Sequence, residues 1–264
     1  MSDKGEDQLA TYDYEQVLDL AIYIAYGIPT VGGETGRAED SCRRVLQAYG
    51  CDRIEVMVMA NFLTLSFEYK GEKYHGQKRI SDQTSSSMLR LNELNNLTRK
   101  LTAEPYDPGM ALNEVKTILD APKRPFTQHL ALVGLVGFTF TLLLDGSLGA
   151  ALFAFVIDLV ARAAIEPLYQ YKTNQMFVNI FGGLLVTLLS ACSIFLGLGE
   201  ERGIINTATF MFLFPGVSLV NSIRDIIASD YLAGATKLIQ TILVALGIAI
   251  GSGIGLSILS RFAI

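Results

Sequence analysis

The sequence has few of the residues that build metal sites, disulfides and catalytic triads. Its three cysteines, Cys42, Cys51 and Cys192, form no Cys-x-x-Cys pair, and the lone histidines His75 and His129 are interpreted as structural. A disulfide between Cys42 and Cys51 is not expected in a reducing compartment. No Ser/His/Asp set, Cys/His pair or metal-ligand spacing is visible, so the sequence predicts no enzyme, no metal site and no cofactor.

Basic stripes and an apolar leader are also missing. The formal net charge is -5 at pH 7, which gives no support for nucleic-acid binding. Acidic residues such as Asp3 and Glu6 occupy the first 20 positions, and no apolar stretch interrupts them, so no signal peptide is expected. The N-terminal part is therefore predicted to stay in the cytosol.

Charge is scarce in the second half of the chain. Residues 1–127 hold 15 Lys/Arg and 19 Asp/Glu, whereas residues 128–264 hold only 6 and 7. The first composition is that of an ordinary soluble domain, and the second is compatible with lipid. We therefore predict an α+β cytosolic domain over 1–122, followed by an all-α membrane domain over 123–264.

The apolar half contains five runs long enough to cross a bilayer, whose core of about 30 Å needs about 20 helical residues. A helical bundle in a soluble protein is the alternative, but five such runs are hard to hide from lipid in so small a protein. The predicted transmembrane helices cover about 128–144, 147–165, 175–197, 203–222 and 236–259.

Basic residues near the ends of these runs predict the orientation. The opposite ends carry acidic residues, among them Asp145 and Glu200. This distribution of basic and acidic residues predicts a multi-pass plasma-membrane protein with a cytoplasmic N-terminus and an external C-terminus. The basic residues that fall on one side are Lys123, Arg124, Arg162, Lys172, Arg224 and Lys237.

Periodicity in the first half predicts helices packed against a small sheet. An Asp107-Pro108 pair, an N-cap followed by proline at the first helical position, starts the last of these helices. The predicted helices cover 14–27, 37–49, 83–101 and the segment after Asp107, and the predicted strands cover 53–60, 62–69 and 73–80.

A glycine-rich turn enters the second helix and includes Gly33, Thr35, Arg37 and Glu39. Backbone N–H groups of such a turn can bind an anion, although the spacing is not that of a phosphate-binding loop. The alternative, which local evidence favours, is a helix cap in which Thr35 bonds toward Ala38.

Three groups of residues form an unusual pattern along the chain: Gly33, Thr35, Arg37 and Glu39, then Pro215-Gly216 with Ile223-Arg224-Asp225, and then Asp230-Tyr231-Leu232-Ala233-Gly234. With this pattern the chain resembles the first subunit of the two-component threonine/serine exporter family, which carries a cytosolic domain and five spans. The resemblance covers about residues 15–259. It implies export of threonine, serine or a related small organic acid, together with a second, small five-span membrane subunit and a higher oligomer.

Charges inside predicted spans are candidates for function, because they are costly in lipid. Asp158 lies within the second span, with Arg162 four and Glu166 eight residues later on the same helix face. Asp158 and Arg162 could pair as a titratable gate, or Arg162 could bind a substrate carboxylate. Snorkelling of Arg162 and Glu166 to the cytosolic boundary is the alternative.

The fourth span contains Pro215 and Gly216, which predict a broken helix of the kind that forms binding sites in carriers. A passive kink is the alternative. Polar residues that follow predict either a substrate pathway or an interfacial ion-pair network: Ser218, Asn221, Ser222, Arg224, Asp225 and Asp230. A ridge of Gly247, Gly251 and Gly255 in the fifth span predicts close helix packing.

Two functions remain open from the sequence. The first is one subunit of a secondary exporter driven by an ion or proton gradient, since no ATP-binding motif is present. An odd count of five spans suits one half of such a transporter. The second is a membrane-tethered regulatory or enzymatic domain that acts on a small anionic ligand.

Overall fold

The computed structural model describes residues 12–80, 87–122, 125–171 and 173–261. Three residues that supported the predicted orientation, Lys123, Arg124 and Lys172, lie outside these ranges, as does the predicted start of a helix at residue 83.

In the described residues up to 122, two helices are followed by a three-stranded sheet and then by two further helices, as the sequence predicts. Asp107 caps the fourth helix by accepting a hydrogen bond from the Met110 N–H, and Pro108 is its first residue, as expected. The elements are α1 Tyr14–Thr30, α2 Thr35–Ala48, β1 Asp52–Val58, β2 Phe62–Tyr69, β3 Glu72–Arg79, α3 Met88–Ala103 and α4 Pro108–Asp120.

The rest of the described chain is helical. A short 3₁₀ segment, Cys192–Leu196, extends the third of its helices. The elements are α5 Phe126–Leu143, α6 Leu148–Gln170, α7 Gln175–Ala191, α8 Arg202–Phe210, α9 Gly216–Ile227 and α10 Tyr231–Arg261.

These elements form two compact units, and each unit combines two segments that are separate in the sequence. The first unit combines residues 1–122 with 217–238, and the second combines 123–216 with 239–264. The helix α9 and the first turns of α10 therefore group with the α+β elements, although the sequence places them among membrane spans.

In the first unit, an antiparallel sheet of order β1-β2-β3 packs against α1. Leu63, Leu65 and Phe67 of β2 are buried, because alternate residues of a strand point to one face. Gly76 of β3 lies so close to α1 that a Cβ there would be 2.5 Å from the Ile22 Cδ1 atom. The missing side chain allows the strand and the helix to approach each other.

In the second unit, α5 and α6 form an antiparallel hairpin. Asp145 in the connecting turn has a positive φ of 61°, and Ser147 caps α6 by accepting a hydrogen bond from the Ala150 N–H at 3.2 Å. Leucines such as Leu132 and Leu152 lie exposed along these helices, as expected for side chains that face lipid.

Four helices of the described residues are long and apolar enough to cross a membrane. They correspond to the first, second, third and fifth predicted spans. They cover Phe126–Leu143, Leu148–Gln170, Gln175–Leu196 and Tyr231–Arg261.

The structure does not confirm residues 203–222 as one spanning helix. Instead, α8 ends at Phe210 and α9 starts at Gly216, so each helix is too short to cross a bilayer alone. Pro215 has no N–H for a helical hydrogen bond, which explains why the helix does not continue through this segment. The predicted break at Pro215-Gly216 is therefore confirmed.

The glycine ridge of α10 packs as predicted. A Cβ at Gly251 would lie 2.8 Å from the carbonyl carbon of Ile180, and one at Gly255 would lie 2.9 Å from the Thr187 Cβ. Because these positions lack side chains, α10 and α7 approach each other backbone to backbone. A hydrogen bond from the Thr187 hydroxyl to the Ser252 hydroxyl, 3.0 Å long, joins the two helices.

Candidate functional site

A buried carboxylate lies in the middle of α6. Asp158 is fully buried, on the same helix face as Ala154 and Ala161 one turn away on either side. Within the described part of the chain, neither of its carboxylate oxygens has a hydrogen-bond partner. An isolated carboxylate in an apolar environment costs several kcal/mol, so this position is unfavourable for stability alone.

Gly137 of α5 provides the space for this carboxylate. A Cβ at residue 137 would lie 2.9 Å from the Asp158 Cγ and 3.1 Å from the Ala154 carbonyl oxygen. Any larger residue at 137 would therefore displace the carboxylate or separate the two helices. The Thr141 hydroxyl donates to the Gly137 carbonyl at 2.7 Å and so does not turn toward the aspartate as a donor.

Arg162 lies one turn beyond Asp158 but does not pair with it. Its guanidinium contacts the Glu166 carboxylate at 2.6 Å, so the predicted Asp158–Arg162 pair is wrong in this structure. The rings of Phe126 and Tyr169 lie 5.7 and 5.2 Å from the guanidinium carbon. One buried guanidinium nitrogen, Nη1, has no hydrogen-bond partner among the residues described.

A second polar group lies in the first unit, where the glycine-rich turn meets α9 and the start of α10. We name it the turn cluster, and three contacts define it. The Asn221 amide donates to the Gly32 carbonyl oxygen at 2.9 Å, and the Thr35 hydroxyl donates to the Asp230 carboxylate at 3.1 Å. The third contact is an ion pair between Arg224 and Glu34.

The turn cluster replaces the helix cap that the sequence favours. The N-cap residue of α2 is Glu34, which makes no side-chain capping bond. Thr35 is fully buried, and its hydroxyl binds Asp230 instead of a backbone N–H of its own helix. The cap prediction is therefore wrong. The carboxylates of Glu34 and Asp230 at this turn also disfavour a bound anion there by repulsion.

Gly33, Arg37 and Glu39 each lie beside the turn cluster. A Cβ at Gly33 would lie 2.8 Å from the Ile28 carbonyl oxygen, so the turn requires glycine. Arg37 is exposed, and its guanidinium lies 3.5 Å from the Glu34 carboxylate. Glu39 accepts a hydrogen bond from the Val58 N–H at 2.8 Å and so ties α2 to β1.

The Glu39 carboxyl differs electrostatically from its exposed neighbours. Burial raises its pKa above the ordinary 4.5, and the nearby charge of Asp230 acts in the same direction. The hydrogen bond from Val58 opposes this effect, because it stabilises the carboxylate. Protonation of Glu39 is therefore linked to the acidic residues that face it.

The polar residues predicted along the fourth span do not form one stripe. Asp225 is 3% exposed and pairs with Lys237 at 2.7 Å, whereas Ser218 is exposed. Ser222 is buried within α9 and donates to the carbonyl oxygen of Leu219. Arg224 and Asp225 each pair with a residue outside the predicted group, and a substrate pathway along these residues stays a prediction.

Several residues with a structural part in these sites were not predicted from the sequence. Glu34 lies inside the glycine-rich turn, and its charge beside Thr35 is the sequence feature that could have indicated an ion pair there. Lys237 was used only to predict the membrane orientation, and no feature of the sequence around Gly137 indicates that it packs against Asp158. No group of three His, Cys, Asp or Glu side chains that could hold a metal ion is found over the described ranges.

Comparison with known proteins agrees with the membrane character of the chain. The family model described as "Putative threonine/serine exporter" matches residues 19–259. The chain is 23% identical over 254 residues to the "Threonine/serine exporter" of Corynebacterium glutamicum, covering 92% of this chain and 51% of that protein.

A second relative gives the same result. The chain is 26% identical over 250 residues to the "Probable threonine/serine exporter" of Mycobacterium tuberculosis (strain ATCC 25618 / H37Rv), covering 94% of this chain and 46% of that protein. The chain thus spans about half the length of the curated relatives it matches. No solved structure gives a significant match. Because the family model covers nearly the whole chain, this multi-span membrane protein belongs to the threonine/serine exporter family.

Proposed function

We propose that this chain forms one half of a secondary exporter for threonine, serine or related small organic acids, driven by an ion or proton gradient. Asp158 is the observation that carries the proposal. A fully buried carboxylate that has no hydrogen-bond partner among the described residues, inside a helix long enough to cross a bilayer, has an energetic cost that a transport role explains.

The local chemistry of α6 suits an amino acid. Asp158 offers a negative charge for an ammonium group, a cation or a proton. Arg162 lies about 6 Å further along the helix axis and has one guanidinium nitrogen without a partner among the described residues. A guanidinium binds carboxylates as a planar fork. A zwitterion can therefore place its ammonium group toward Asp158 and its carboxylate toward Arg162.

The other half of the exporter is a second membrane domain in this proposal. The named relatives are about twice as long as the matched region, which supports a transport unit with two such domains. We place the second domain in a separate small five-span subunit, within a higher oligomer in the plasma membrane. Co-purification of an intact complex from cells that express both subunits tests this assignment.

A fifth crossing by α8 and α9 together is part of the same proposal. Residues 203–222, which include most of α8 and the first part of α9, are the apolar run of about 20 residues that the sequence predicts as a span. Cysteines placed at Glu200 and Ala228, in a Cys192→Ser background, should react with an impermeant reagent from opposite sides. Labelling of both from one side would leave only four crossings. The cytoplasmic side is expected to be that of Ala228.

Efflux measurements on an Asp158 variant test the transport role. We expect Asp158→Asn to lose export of radiolabelled threonine and serine while the protein still inserts into the membrane. The matched control is Asp145→Asn, the same substitution at an exposed turn residue, where asparagine tolerates the positive φ. Wild-type efflux from Asp158→Asn would rule out this role for the carboxylate.

The substrate class requires a wider panel. Cells that carry both halves are loaded with threonine, serine, other small amino acids and dicarboxylates, and the efflux of each is compared. Collapse of the proton gradient, and separately of the sodium gradient, identifies the driving ion. Membership of an exporter family favours this function over a membrane-tethered regulatory or enzymatic domain.

A further inference from the structure

A polar groove runs between α2 and α3 on the first unit, and one of its residues, Arg37, also lies beside the turn cluster. Its volume is about 420 Å³, within the range of sites that bind small molecules. Both helices contribute to its walls. The residues that define it are Arg37, Ser41 and Arg44 of α2 and Asn95, Arg99 and Thr102 of α3.

The sequence builds this groove from two matching polar stripes. On α2 the lining residues recur at 37, 40, 41 and 44, and on α3 at 95, 98, 99 and 102. This spacing places each set on one face of its helix. The apolar core residues of both helices lie outside these stripes, while two stripe residues, Ser41 and Thr98, are buried.

The charge of the groove is opposite to that of the chain. Three arginines line it against one acidic residue, Asp40, while the whole protein carries a net charge of -5. Asp40 holds Arg44 through two contacts, of 3.1 and 2.9 Å. Both partners of this pair are more than half exposed, so solvent screens their attraction and an incoming anion can replace it.

The arginines keep donors available for a ligand. A guanidinium group has five N–H donors. Arg37 uses one nitrogen toward Glu34 at 3.5 Å, and Arg99 uses two, toward the Asn95 carbonyl and the Asn96 side chain. Positions 37 and 44 lie about 10 Å apart along α2, and Arg99 lines the opposite wall. This spacing suits a molecule with more than one anionic group.

We propose that this groove binds a small organic polyanion, with phosphate or carboxylate groups held by Arg37, Arg44 and Arg99. Guanidinium groups match both kinds of oxyanion through paired hydrogen bonds. Hydroxyl and amide groups of Ser41, Thr102 and Asn95 provide neutral hydrogen-bonding partners along the groove. The inference does not depend on the proposed transport function, because the groove is built from α2 and α3 alone.

Binding to the full-length chain in nanodiscs of neutral lipid tests the site, with pyrophosphate and citrate as probes in isothermal titration calorimetry. We expect the double variant Arg44→Gln/Arg99→Gln to bind at least about tenfold more weakly than wild type. The matched control is Arg53→Gln, which removes an exposed arginine outside the groove. It should bind both probes as wild type does.

A second variant with an expected gain in affinity distinguishes loss of the binding site from loss of folding. Asp40→Asn removes the carboxylate that competes for Arg44, so it should bind both probes about threefold or more tightly. Weaker or unchanged binding by Asp40→Asn would overturn the assignment. So would wild-type affinity in the double arginine variant, or no binding of either probe at millimolar concentration.

Nanodiscs that contain anionic lipid distinguish the source of the phosphate group. If a lipid headgroup occupies the groove, anionic lipid should reduce pyrophosphate binding in wild type, and the Arg44→Gln/Arg99→Gln variant should abolish this competition. If a soluble metabolite is the source, pyrophosphate affinity should be the same in neutral and anionic discs at high salt. Both results place an oxyanion in the groove.

Discussion

Replacement of Thr35 by valine tests how the turn cluster holds α9 and the start of α10. Valine has the shape of threonine but lacks the hydroxyl that donates to Asp230 at 3.1 Å. Thr35 is fully buried and Asp230 is half-buried, so water can replace the lost donor only in part. Thr35→Ser keeps the hydroxyl and is the matched control.

The expected magnitude follows from the two kinds of contact in the cluster. A hydrogen bond to a charged group contributes about 1.5–3 kcal/mol, so Thr35→Val should lower the local stability by about that amount. The Arg224–Glu34 pair is different, because the Arg224 side chain is 55% exposed. Exposed pairs contribute about 0.2–1 kcal/mol, so Arg224→Ala should cost clearly less.

Hydrogen–deuterium exchange of the segment 216–230 measures the local opening free energy directly. For Thr35→Val we expect exchange about 10- to 150-fold faster than wild type, because each 1.4 kcal/mol is tenfold. For Arg224→Ala the increase should stay below about fivefold. An unchanged rate in Thr35→Val, or a larger effect of Arg224→Ala than of Thr35→Val, would refute this ranking of the contacts.

Three further variants test packing and charge. Gly137→Ala should reduce export without loss of insertion, since its Cβ would lie 2.9 Å from the Asp158 Cγ; normal efflux would contradict this. Gly234→Ala should cost about 1–3 kcal/mol in thermal unfolding, because its Cβ would lie 2.9 Å from the Ile226 N atom. The raised pKa of Glu39 means that the folded state holds its proton more tightly, so this group's contribution to stability falls as pH rises above 4.5. Glu39→Gln should remove that part of the pH dependence of Tm, and an identical profile in the variant would show that Glu39 does not contribute.

Local elements could be predicted because their signals are local. The Asp107-Pro108 cap, the β-rich composition of residues 62–69 and the missing N–H of Pro215 each act within a few residues, and the structure confirms the cap, the strand and the break. Close packing at the glycine ridge of α10 was also predictable, although its partner helix was not, since small residues at four-residue spacing form one smooth helix face.

The turn cluster could not be predicted, because its partners are far apart in the chain. Thr35 and Asp230 are 195 residues apart, and nothing in either segment specifies the other. The local pattern at Thr35 favours a cap, and tertiary contacts override it. The same reason explains α9: its apolar composition resembles a span, but grouping with the α+β unit depends on contacts of Asn221 and Arg224 with the distant turn.

The two groups of candidate residues differ in how well their polar atoms are satisfied. In the turn cluster, Asp230 accepts the Thr35 hydrogen bond and Arg224 has an ion-pair partner, as expected where polar groups stabilise a fold. Asp158 has no such partner over the described part of the chain. An unsatisfied buried carboxylate is unfavourable for stability, which is why the proposed binding of a ligand, a cation or a proton is placed there. This contrast concentrates the proposed transport role on the Asp158–Arg162 segment of α6.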